Sequence, residues 1–260
     1  MQQPITHLSL VPTQLWRLLR EGFDPRHTQL RELLLGGAAI PAPLVERLQR
    51  LGLTPKVSYG LSEMASQVCT GLPSAPGVVG QPLPGRQVRV VDGEIQVKGD
   101  TLFCGYLADG ALDPAVNDEG WFATRDRGYF NDQQALVVEG RLDNVFISGG
   151  ENIHPEEVEA TLETHASIAE CSVVGLTDSR WGQIVIACVV AAGDQADVAE
   201  FDAHFRASAL APFKRPRGYV FVNDLPKNAA GKVLRRLLRD LVVKRRNEKE
   251  PTFHSIKFAK

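Results

Sequence analysis

The feature that constrains the fold most is a change of pattern along the chain. Up to Gly60, short β-rich runs bounded by glycine and proline alternate with amphipathic segments, which is typical of a parallel sheet covered by helices. Between Gly77 and Gly140 only glycine turns separate the predicted strands, which favours a small antiparallel or barrel-like unit. After Gly140, strands and helices alternate again. The chain is therefore predicted to be α/β, with a domain boundary near residues 141–143.

The individual elements are predicted from local periodicity and from proline. Strands are expected at 8–11, 33–35, 56–58, 87–91, 94–98, 135–139, 170–175, 184–191 and 219–222. Helices are expected from Pro41 and Pro155, because proline suits the first helical position, and also near Ala199 and from about Lys232. The predicted domains are 1–142 and 143–242, followed by a disordered tail at 243–260.

Composition excludes several classes of protein. The 260 residues carry a net charge of −2, with 43% hydrophobic and 23% charged residues, close to globular averages. No apolar run is long enough for a membrane helix and the first residues lack the pattern of a signal peptide, so we expect a cytoplasmic protein with no membrane partner. The spacing of the four cysteines matches no zinc site, so they are predicted to be reduced and mostly buried.

The C-terminal fifth of the chain is strongly basic. From Ala211 onwards it has 14 Lys and Arg residues against 4 Asp and Glu residues, whereas the preceding part is acidic. Such a block can bind nucleic acid, face a phosphorylated ligand or form a solvated helix face. Nucleic acid is the least favoured partner, because the block lacks a run of interleaved aromatic residues that could stack on bases.

Several familiar kinds of active site are not supported by the sequence. No two glycines are separated by a single residue, so the dinucleotide-binding fingerprint is absent. Gly231-Lys232 is followed by Val233, where a Walker-type phosphate loop needs a hydroxyl, and Met64 stands at the second glycine of a nucleophile elbow. The six histidines include no pair at the spacing of helical metal ligands. A serine hydrolase and a histidine metal centre are therefore not supported.

Seven glycine-punctuated segments nevertheless follow one another in a definite order. They are LSLVPT at 8–13, GGA at 36–38, YGLSE at 59–63, GEI at 93–95 with GY at 105–106, WFATRD at 121–126, GRLD at 140–143 with SGGENI at 148–153, and PKNAAGK at 226–232. In this order they resemble the adenylate-forming superfamily of acyl-CoA synthetases, peptide-synthetase adenylation domains and luciferases. The resemblance covers nearly the whole chain. It implies the C-terminal part of a large adenylate-forming domain, with a parallel-sheet remnant and a small β-barrel-like unit, followed by a small α+β domain.

Within the superfamily, the chain is most similar to the o-succinylbenzoate–CoA ligases of menaquinone biosynthesis. The similarity is carried by YGLSEMASQ from Tyr59, by the run from Gly140 to Glu159, and by Arg125, which stands where most relatives have glycine. It implies an acid–thiol ligase that uses ATP and Mg²⁺ to convert an aryl carboxylate to acyl-AMP and then to a thioester of coenzyme A. Two alternatives stay open: another aryl- or acyl-CoA synthetase, and a non-catalytic truncated remnant.

The resemblance also bears on completeness and partners. The phosphate loop of the superfamily would precede residues 11–13, so the chain is expected to be a fragment, a mis-called start or part of a split gene. A complementing N-terminal polypeptide and a second copy of the chain are both open as protein partners. The small-molecule partners implied are the carboxylate, ATP and coenzyme A.

Roles for individual residues in the first predicted domain are implied by the same resemblance. The residues implied to bind ATP or AMP are Gly36, Gly37, Ala38, Tyr59, Gly60, Ser62, Glu63, Asp126 and Arg141. Tyr59 would stack on adenine, Asp126 would accept the ribose hydroxyls and Glu63 would help to hold magnesium. Arg141 would support the ribose or a phosphate. Without a ligand, Tyr59 is equally a core aromatic residue and Ser62 part of a polar loop.

In the second predicted domain, Lys232 is implied to be the catalytic cation that bridges the substrate carboxylate and the polyphosphate. Asp143 matches the hinge about which the small domain would rotate between the two half-reactions. The turn formed by Ser148, Gly149 and Gly150 would then lie along coenzyme A. The alternatives without a ligand are an exposed lysine before a helix and a plain hairpin turn.

Overall fold

A computed structural model of the chain describes residues 5–193, 197–228, 231–248 and 253–255. The chain divides into two units, an N-terminal unit of residues 1–142 and a C-terminal unit of residues 143–260. In the described ranges, no helix is both long enough and apolar enough to cross a membrane.

One large sheet organises the N-terminal unit. Its strands and an additional hairpin are β1 (His7–Leu10), β2 (Glu32–Leu35), β3 (Lys56–Gly60), β4 (Gln67–Gly71), β5 (Val78–Pro82), β6 (Arg86–Val91), β7 (Glu94–Gly99), β8 (Tyr106–Ala108), β9 (Ala111–Asp113), β10 (Phe122–Phe130) and β11 (Leu136–Arg141). The sheet has the order β1-β2-β3-β4-β5-β11-β10-β7-β6, and β8 pairs with β9 alone. β1, β2 and β3 are parallel, whereas the other neighbours are antiparallel. The predicted parallel remnant is confirmed. The unit predicted to be antiparallel or barrel-like is antiparallel, and in the described residues it continues the same open sheet instead of closing into a barrel.

Two helices cover the parallel strands. They are α1 (Pro12–Arg20) and α2 (Ala42–Arg50), and proline stands at or just before the first position of each. Their apolar side chains recur at a spacing of four residues, which places them on one face of each helix. The buried cluster that they form with β2 consists of Leu15, Leu19, Leu33, Leu35, Leu44 and Leu48.

The antiparallel part depends on two departures from regular strand geometry. Asp92 and Gly93 both have positive φ, of 50° and 81°, and this allows the two-residue turn between β6 and β7. In β10 the register against β7 shifts between Ala123 and Arg127, and Arg125 has a φ of 63°. Along this stretch Asp126 is buried while Arg125 is exposed. The side chains of β10 nevertheless alternate between buried and exposed from Phe122 to Asp126, so the alternation continues through the register shift.

The C-terminal unit combines a four-stranded sheet with three helices and a hairpin. Its elements are β12 (Phe146–Ser148), β13 (Glu151–Ile153), α3 (Pro155–Leu162), β14 (Ile168–Asp178), β15 (Gly182–Ala191), α4 (Val198–Ala207), β16 (Gly218–Phe221), α5 (Arg235–Glu248) and β17 (Phe253–Ser255). The sheet has the order β14-β15-β16-β17, with β15 and β16 parallel, and β12 pairs with β13.

Both faces of this sheet are covered. Val173 packs with Phe201 of α4 in one cluster, whereas its neighbour Val174 packs with Leu238 of α5 in another. Because successive strand residues point to opposite faces, the two clusters lie on opposite sides of the sheet. This arrangement is the small α+β domain that the sequence predicts.

The predicted disordered tail at 243–260 is wrong for part of its length. Helix α5 continues to Glu248, and residues 253–255 form β17, which pairs with β16. Two arginines hold the end of the helix: Arg245 donates a hydrogen bond to the carbonyl of Phe221, and Arg246 donates one to the carbonyl of Thr177 at 2.8 Å. Residues 249–252 and 256–260 lie outside the described ranges.

All four cysteines are free thiols. Cys69, Cys171 and Cys188 are buried, as predicted, whereas Cys104 is exposed. Burial raises the pKa of both Cys69 and Cys188 to about 12.

Candidate active site

A buried carboxylate lies at the centre of the polar cluster in the N-terminal unit. Asp126 Oδ2 accepts a hydrogen bond of 2.6 Å from the hydroxyl of Tyr59, and Asp126 Oδ1 accepts one of 3.1 Å from Nη1 of Arg141. The sheet register produces this arrangement, because Asp126 of β10 and Arg141 of β11 are cross-strand partners. Three residues that are far apart in sequence thus form one hydrogen-bonded cluster.

The backbone around Asp126 is fixed by Thr124, which is also buried. The Thr124 hydroxyl accepts a hydrogen bond of 3.1 Å from the amide of Asp126 and donates one of 2.7 Å to the carbonyl of Ile95. Burial and the neighbouring negative charge of Asp126 raise the pKa of the Tyr59 phenol well above its ordinary value. Tyr59 therefore remains a proton donor to Asp126 at neutral pH.

A pocket of about 310 Å³ opens beside this cluster. Its lining residues are Leu61, Glu63, Tyr106, Ala115, Phe122, Ala123, Thr124, Arg125 and Arg141. Glu63 Oε1 accepts a hydrogen bond of 2.7 Å from the hydroxyl of Tyr106, and that bond raises the pKa of Tyr106. The amide of Phe103 donates to the carbonyl of Glu63 at 2.7 Å, so both the main chain and the side chain of Glu63 are oriented. The pocket thus has an acidic group on one wall and a basic group, Arg141, on another.

Glu63 can contribute one ligand to a metal ion. In the ranges that the structure describes, no three His, Cys, Asp or Glu side chains converge as a metal site. Mg²⁺ commonly binds through one or two carboxylates together with substrate phosphates and water. A single carboxylate at the pocket wall therefore fits a magnesium ion brought by a phosphorylated ligand, and does not fit a protein-only metal site.

Arg125 occupies the pocket wall with an unusual backbone. Its φ of 63° lies in the left-handed region, which costs an L-residue about 1–2 kcal/mol and which glycine adopts freely. The amide of Arg125 donates to Glu94 Oε1 at 3.0 Å, and this contact helps to hold the conformation. A glycine at this position would adopt the same backbone conformation without strain, independently of any ligand.

The predicted glycine segments have local structural reasons too. A Cβ atom at Gly36 would lie 2.4 Å from the Ser58 hydroxyl, and one at Gly60 would lie 2.1 Å from the Ser66 carbonyl. Gly37 has a φ of 78°. Neither these glycines nor Ala38 and Ser62 line the pocket. Their nucleotide-binding roles stay predictions.

In the C-terminal unit, Ser148, Gly149 and Gly150 belong to the hairpin of β12 and β13. Both glycines have positive φ, of 60° and 88°, as a tight two-residue turn requires. The amide of Gly149 donates to the carbonyl of Trp181 at 2.9 Å, and a Cβ atom on Gly149 would lie 2.7 Å from the Trp181 ring. The turn is therefore packed directly against an indole.

Trp181 is flanked by two guanidinium groups. The Cζ atoms of Arg217 and Arg180 lie 4.3 Å and 4.9 Å from the centroid of its ring. Such stacking is typical of cation–π contacts. The glycine turn thus lies at a surface that combines an aromatic ring with positive charge.

Lys232 is exposed, and two hydrogen bonds join it to Asn228. Its amide donates to Asn228 Oδ1 at 2.9 Å, and the amide of Asn228 donates to the carbonyl of Lys232 at 2.9 Å. Helix α5 begins at Arg235, three residues later than the sequence predicts, because the amides of Lys232 and Leu234 bond to Asn228 and Pro226 instead of to a helix. Asp143 lies at the first position of the C-terminal unit and is exposed. Its hinge role stays a prediction.

Two family models match the chain. A model of the AMP-binding enzymes matches residues 1–107, and a model of the AMP-binding enzyme C-terminal domain matches residues 157–232. Both matches are to the AMP-binding enzyme family. The predicted resemblance to adenylate-forming enzymes is thereby confirmed.

Individual relatives narrow the similarity within this family. The chain is 43% identical over 237 residues to a 2-succinylbenzoate–CoA ligase of Salmonella typhimurium, with 91% of the chain and 51% of that protein covered. It is similar to a structure of Escherichia coli MenE with bound OSB-AMS, with a TM-score of 0.80, 38% identity, and 93% of this chain and 53% of that chain covered. ATP-bound MatB from Rhodopseudomonas palustris matches with a TM-score of 0.82, 30% identity, and coverage of 91% and 50%. The chain spans about half the length of the relatives that it matches.

The structure brings together some of the predicted site residues. Tyr59, Asp126 and Arg141 form one cluster, and Glu63 lies with Arg141 at the same pocket. The sequence predicts no role for Tyr106 or Trp181. Tyr106 belongs to the Gly105-Tyr106 motif, and this position in a motif is a usable signal, whereas nothing in the sequence places Trp181 beside Gly149.

Proposed function

We propose that the chain carries the nucleotide-binding pocket and the small C-terminal domain of an o-succinylbenzoate–CoA ligase that acts in menaquinone biosynthesis. The 43% identity to a 2-succinylbenzoate–CoA ligase supports this choice of substrate. The reaction has two steps. The substrate carboxylate attacks the α-phosphate of ATP and releases pyrophosphate, and the thiol of coenzyme A then attacks the acyl carbon and releases AMP.

The observation that carries the proposal is the position of Asp126 between Tyr59 and Arg141 beside the pocket. An ionised carboxylate has two acceptor oxygens and suits the two hydroxyls of a ribose. Tyr59 and Arg141 hold this carboxylate before any ligand arrives, so little reorganisation is needed on binding. Tyr59 is buried, and its hydroxyl contact with Asp126 gives it an orienting role in addition to the proposed stacking on adenine.

Glu63 would help to hold Mg²⁺, and Tyr106 orients its carboxylate through a hydrogen bond. The ion would neutralise charge on the phosphates when it is bound. Ser62 precedes Glu63 and is exposed, so its hydroxyl is available to a phosphate oxygen. Gly36, Gly37, Ala38 and Gly60 would complete the nucleotide site through their backbone.

Lys232 would supply the cation of the first step. A carboxylate that approaches a polyphosphate meets strong repulsion, and one ammonium group between them reduces it. In the ranges that the structure describes, Lys232 forms no ion pair. Its ammonium group is therefore not neutralised by any carboxylate of the described residues. The glycine turn at Gly149 and the Trp181 surface would serve the second step, because two arginines beside an aromatic ring suit the phosphates and base of coenzyme A.

A binding measurement tests the nucleotide part of this proposal on the chain as it is. Isothermal calorimetry with OSB-AMS should detect binding, and Asp126→Ala should weaken it by at least roughly tenfold because a charge-assisted contact is lost. Asp132→Ala is the matched control, since Asp132 is an exposed carboxylate in the turn between β10 and β11. Equal affinity of the two variants would contradict the role of Asp126.

A reaction measurement separates the ligase from the alternatives. The chain, combined with the part of the Escherichia coli ligase that it does not match, should exchange pyrophosphate with ATP when o-succinylbenzoate is present. Exchange with a different aryl or acyl carboxylate instead would indicate another acyl-CoA synthetase. Binding of OSB-AMS without exchange for any carboxylate would indicate a non-catalytic remnant.

A further inference from the structure

The segment that carries Lys232 has two sides that are bonded to each other. We call residues 226–228 and 231–234 the Lys232 loop. The amide of Leu234 donates to the carbonyl of Pro226 at 2.8 Å, and Lys227 and Val233 form an isolated antiparallel bridge. Asn228 adds two hydrogen bonds to Lys232, one through its side chain and one through its amide. The geometry of Lys232 therefore depends on where both sides of this loop are held.

Two ion pairs fasten the loop to the rest of the unit, one on each side. On the first side, Nζ of Lys227 pairs with Glu170 of β14. On the second, immediately after the loop, Nη2 of Arg235 donates to both carboxylate oxygens of Glu159 in α3, at 2.7 Å and 2.6 Å. The side chains of Lys227 and Arg235 are only 14% and 22% exposed. Ion pairs with this degree of burial are costly to break, because one partner is left as an unpaired charge.

Glu159 is itself held by three groups. Besides Arg235, it accepts hydrogen bonds from the amide of Val173 at 2.6 Å and from the hydroxyl of Ser172 at 3.0 Å. Both donors belong to β14, the strand that also carries Glu170. Glu170 and the two donors that hold Glu159 therefore lie on the same strand, β14.

The ion pairs also determine which of three neighbouring basic side chains forms no ion pair among the described residues. Lys227, Lys232 and Arg235 lie within nine residues of sequence, and Glu156, Glu159 and Glu170 face this part of the chain. Lys227 forms an ion pair with Glu170, and Arg235 forms ion pairs with Glu159 and Glu156. Lys232 stays exposed, and no ion pair of the described residues involves it.

We propose that Lys227 with Glu170 and Arg235 with Glu159 are positioning pairs, which fix the two sides of the Lys232 loop and leave the ammonium of Lys232 free to act. This inference rests on the proposed function for the role of Lys232. The pairs act in the adenylate-forming step only, because the thioester step uses the glycine turn instead.

The test compares Lys227→Met, Lys227→Arg and Lys214→Met in the full chain. Lys227→Met keeps most of the side-chain stem and removes the charge, whereas Lys227→Arg keeps the charge. Lys214→Met is the matched control, because Lys214 forms a similar ion pair of 2.6 Å with Glu157 but lies in a different turn. The melting temperature of each variant shows whether it is folded.

The first measurement is amide hydrogen exchange, which needs no ligand and no activity. In Lys227→Met, amides of the Lys232 loop should exchange about tenfold faster than in the wild type, as expected when a local contact that protects them is lost. Amides of β14 and β15 should be unchanged. Lys227→Arg and Lys214→Met should both show wild-type exchange in the loop. Unchanged exchange in Lys227→Met would overturn the positioning role, and so would equal acceleration throughout the unit, which indicates general destabilisation.

The second measurement separates the two half-reactions in the chain combined with the complementary part of the Escherichia coli ligase. Lys227→Met should lower the rate constant of adenylate formation by roughly 10- to 100-fold with little change in the KM for ATP, since misplacement of a reacting group by about 1 Å has this effect. Transfer from preformed acyl-AMP to coenzyme A should stay within about twofold, since the groups of that step are not displaced. Equal loss in both steps, or no rescue by Lys227→Arg, would overturn the proposal.

Failure of the proposed function gives a different result. In that case the wild type shows neither half-reaction, while the exchange measurement still decides whether Lys227 holds the loop. Glu170→Gln provides a second variant if Lys227→Met does not fold, and the same loop-specific acceleration is expected from it.

Discussion

The two units of the chain arrange their candidate site residues in opposite ways. In the N-terminal unit, Tyr59, Asp126 and Arg141 are bonded to one another, and Asp126 is buried. In the C-terminal unit, Lys232 and the two glycines of the turn are exposed, and their backbones rather than their side chains are fixed. The first arrangement suits a binding site that is formed in advance, whereas the second suits groups that are presented to a ligand held elsewhere.

The largest expected effect comes from Lys232→Ala. If Lys232 is a presented group, its removal should lower the rate of adenylate formation by roughly 100- to 1,000-fold, the usual effect of losing one electrostatic contact to a transition state. The melting temperature should not change. Lys244→Ala, an exposed lysine of α5, is the control for loss of basic charge. A lower melting temperature for Lys232→Ala would show that the residue is structural, and the comparison of the two units would fail.

Substitutions in the glycine turn test whether its backbone is fixed by packing. Gly149→Ala places a methyl group 2.7 Å from the Trp181 ring at a φ of 60°, whereas Gly150→Ala, at a φ of 88°, meets no atom within 4 Å. We expect Gly149→Ala to lower the free energy of unfolding by about 2–3 kcal/mol and Gly150→Ala by about 1 kcal/mol. Chemical denaturation measures both. Equal losses of unfolding free energy in the two variants would mean that close packing against Trp181 does not restrict the side chain at position 149.

Glu163 provides a pH test of the C-terminal interior. Burial and the negative charges of Glu159 and Glu170 raise the pKa of Glu163 from 4.5 to about 8. The folded state therefore retains a proton that the unfolded state releases, so stability falls as the pH rises from about 4.5 to 8. Between pH 6 and pH 8 the free energy of unfolding of the wild type should fall by roughly 2 kcal/mol relative to that of Glu163→Gln. The expected slope for one proton is about 1.4 kcal/mol per pH unit. Parallel stability curves for the two proteins would contradict the raised pKa.

The smallest effect is expected from Tyr59→Phe. Removing the hydroxyl deprives buried Asp126 of one donor, which should cost about 1–2 kcal/mol of stability and weaken OSB-AMS binding slightly. Tyr219→Phe is the matched control, because Tyr219 is fully buried and its hydroxyl has no hydrogen-bond partner among the described residues. Its replacement should be neutral or stabilising. A neutral Tyr59→Phe would show that Asp126 does not depend on its buried neighbour.

Much of the fold could be predicted from the sequence because its signals are local. The leucines of α2 recur with helical period, and the Asp92-Gly93 pair marks the turn between β6 and β7. The sequence does not predict strand β10, because its buried positions include Thr124, Asp126 and Gly128, and no apolar alternation marks it. The sequence predicts that α5 starts near Lys232, but it starts at Arg235. Hydrogen bonds such as that from the amide of Leu234 to the carbonyl of Pro226 delay the start, and composition gives no sign of them.

The candidate site was predictable only where a motif named the residue. Tyr59, Asp126 and Arg141 were found in motifs, but their mutual contacts depend on the pairing of β10 with β11. Trp181 lies in the turn between β14 and β15 and reaches Gly149 through tertiary packing. The ion pairs of Lys227 and Arg235 span 57 and 76 residues of sequence. Contacts of this range depend on the packed structure, which a single sequence does not reveal.

The distribution of the cysteines has a practical consequence. Three thiols are buried, and those of Cys69 and Cys188 have pKa values of about 12, so they stay protonated and shielded from reagents. Cys104 is exposed, and it lies two residues before Tyr106 at the pocket wall. A maleimide fluorophore added to the native chain should therefore attach at one position without any mutagenesis. A label there would report by a change in emission when a ligand enters the pocket.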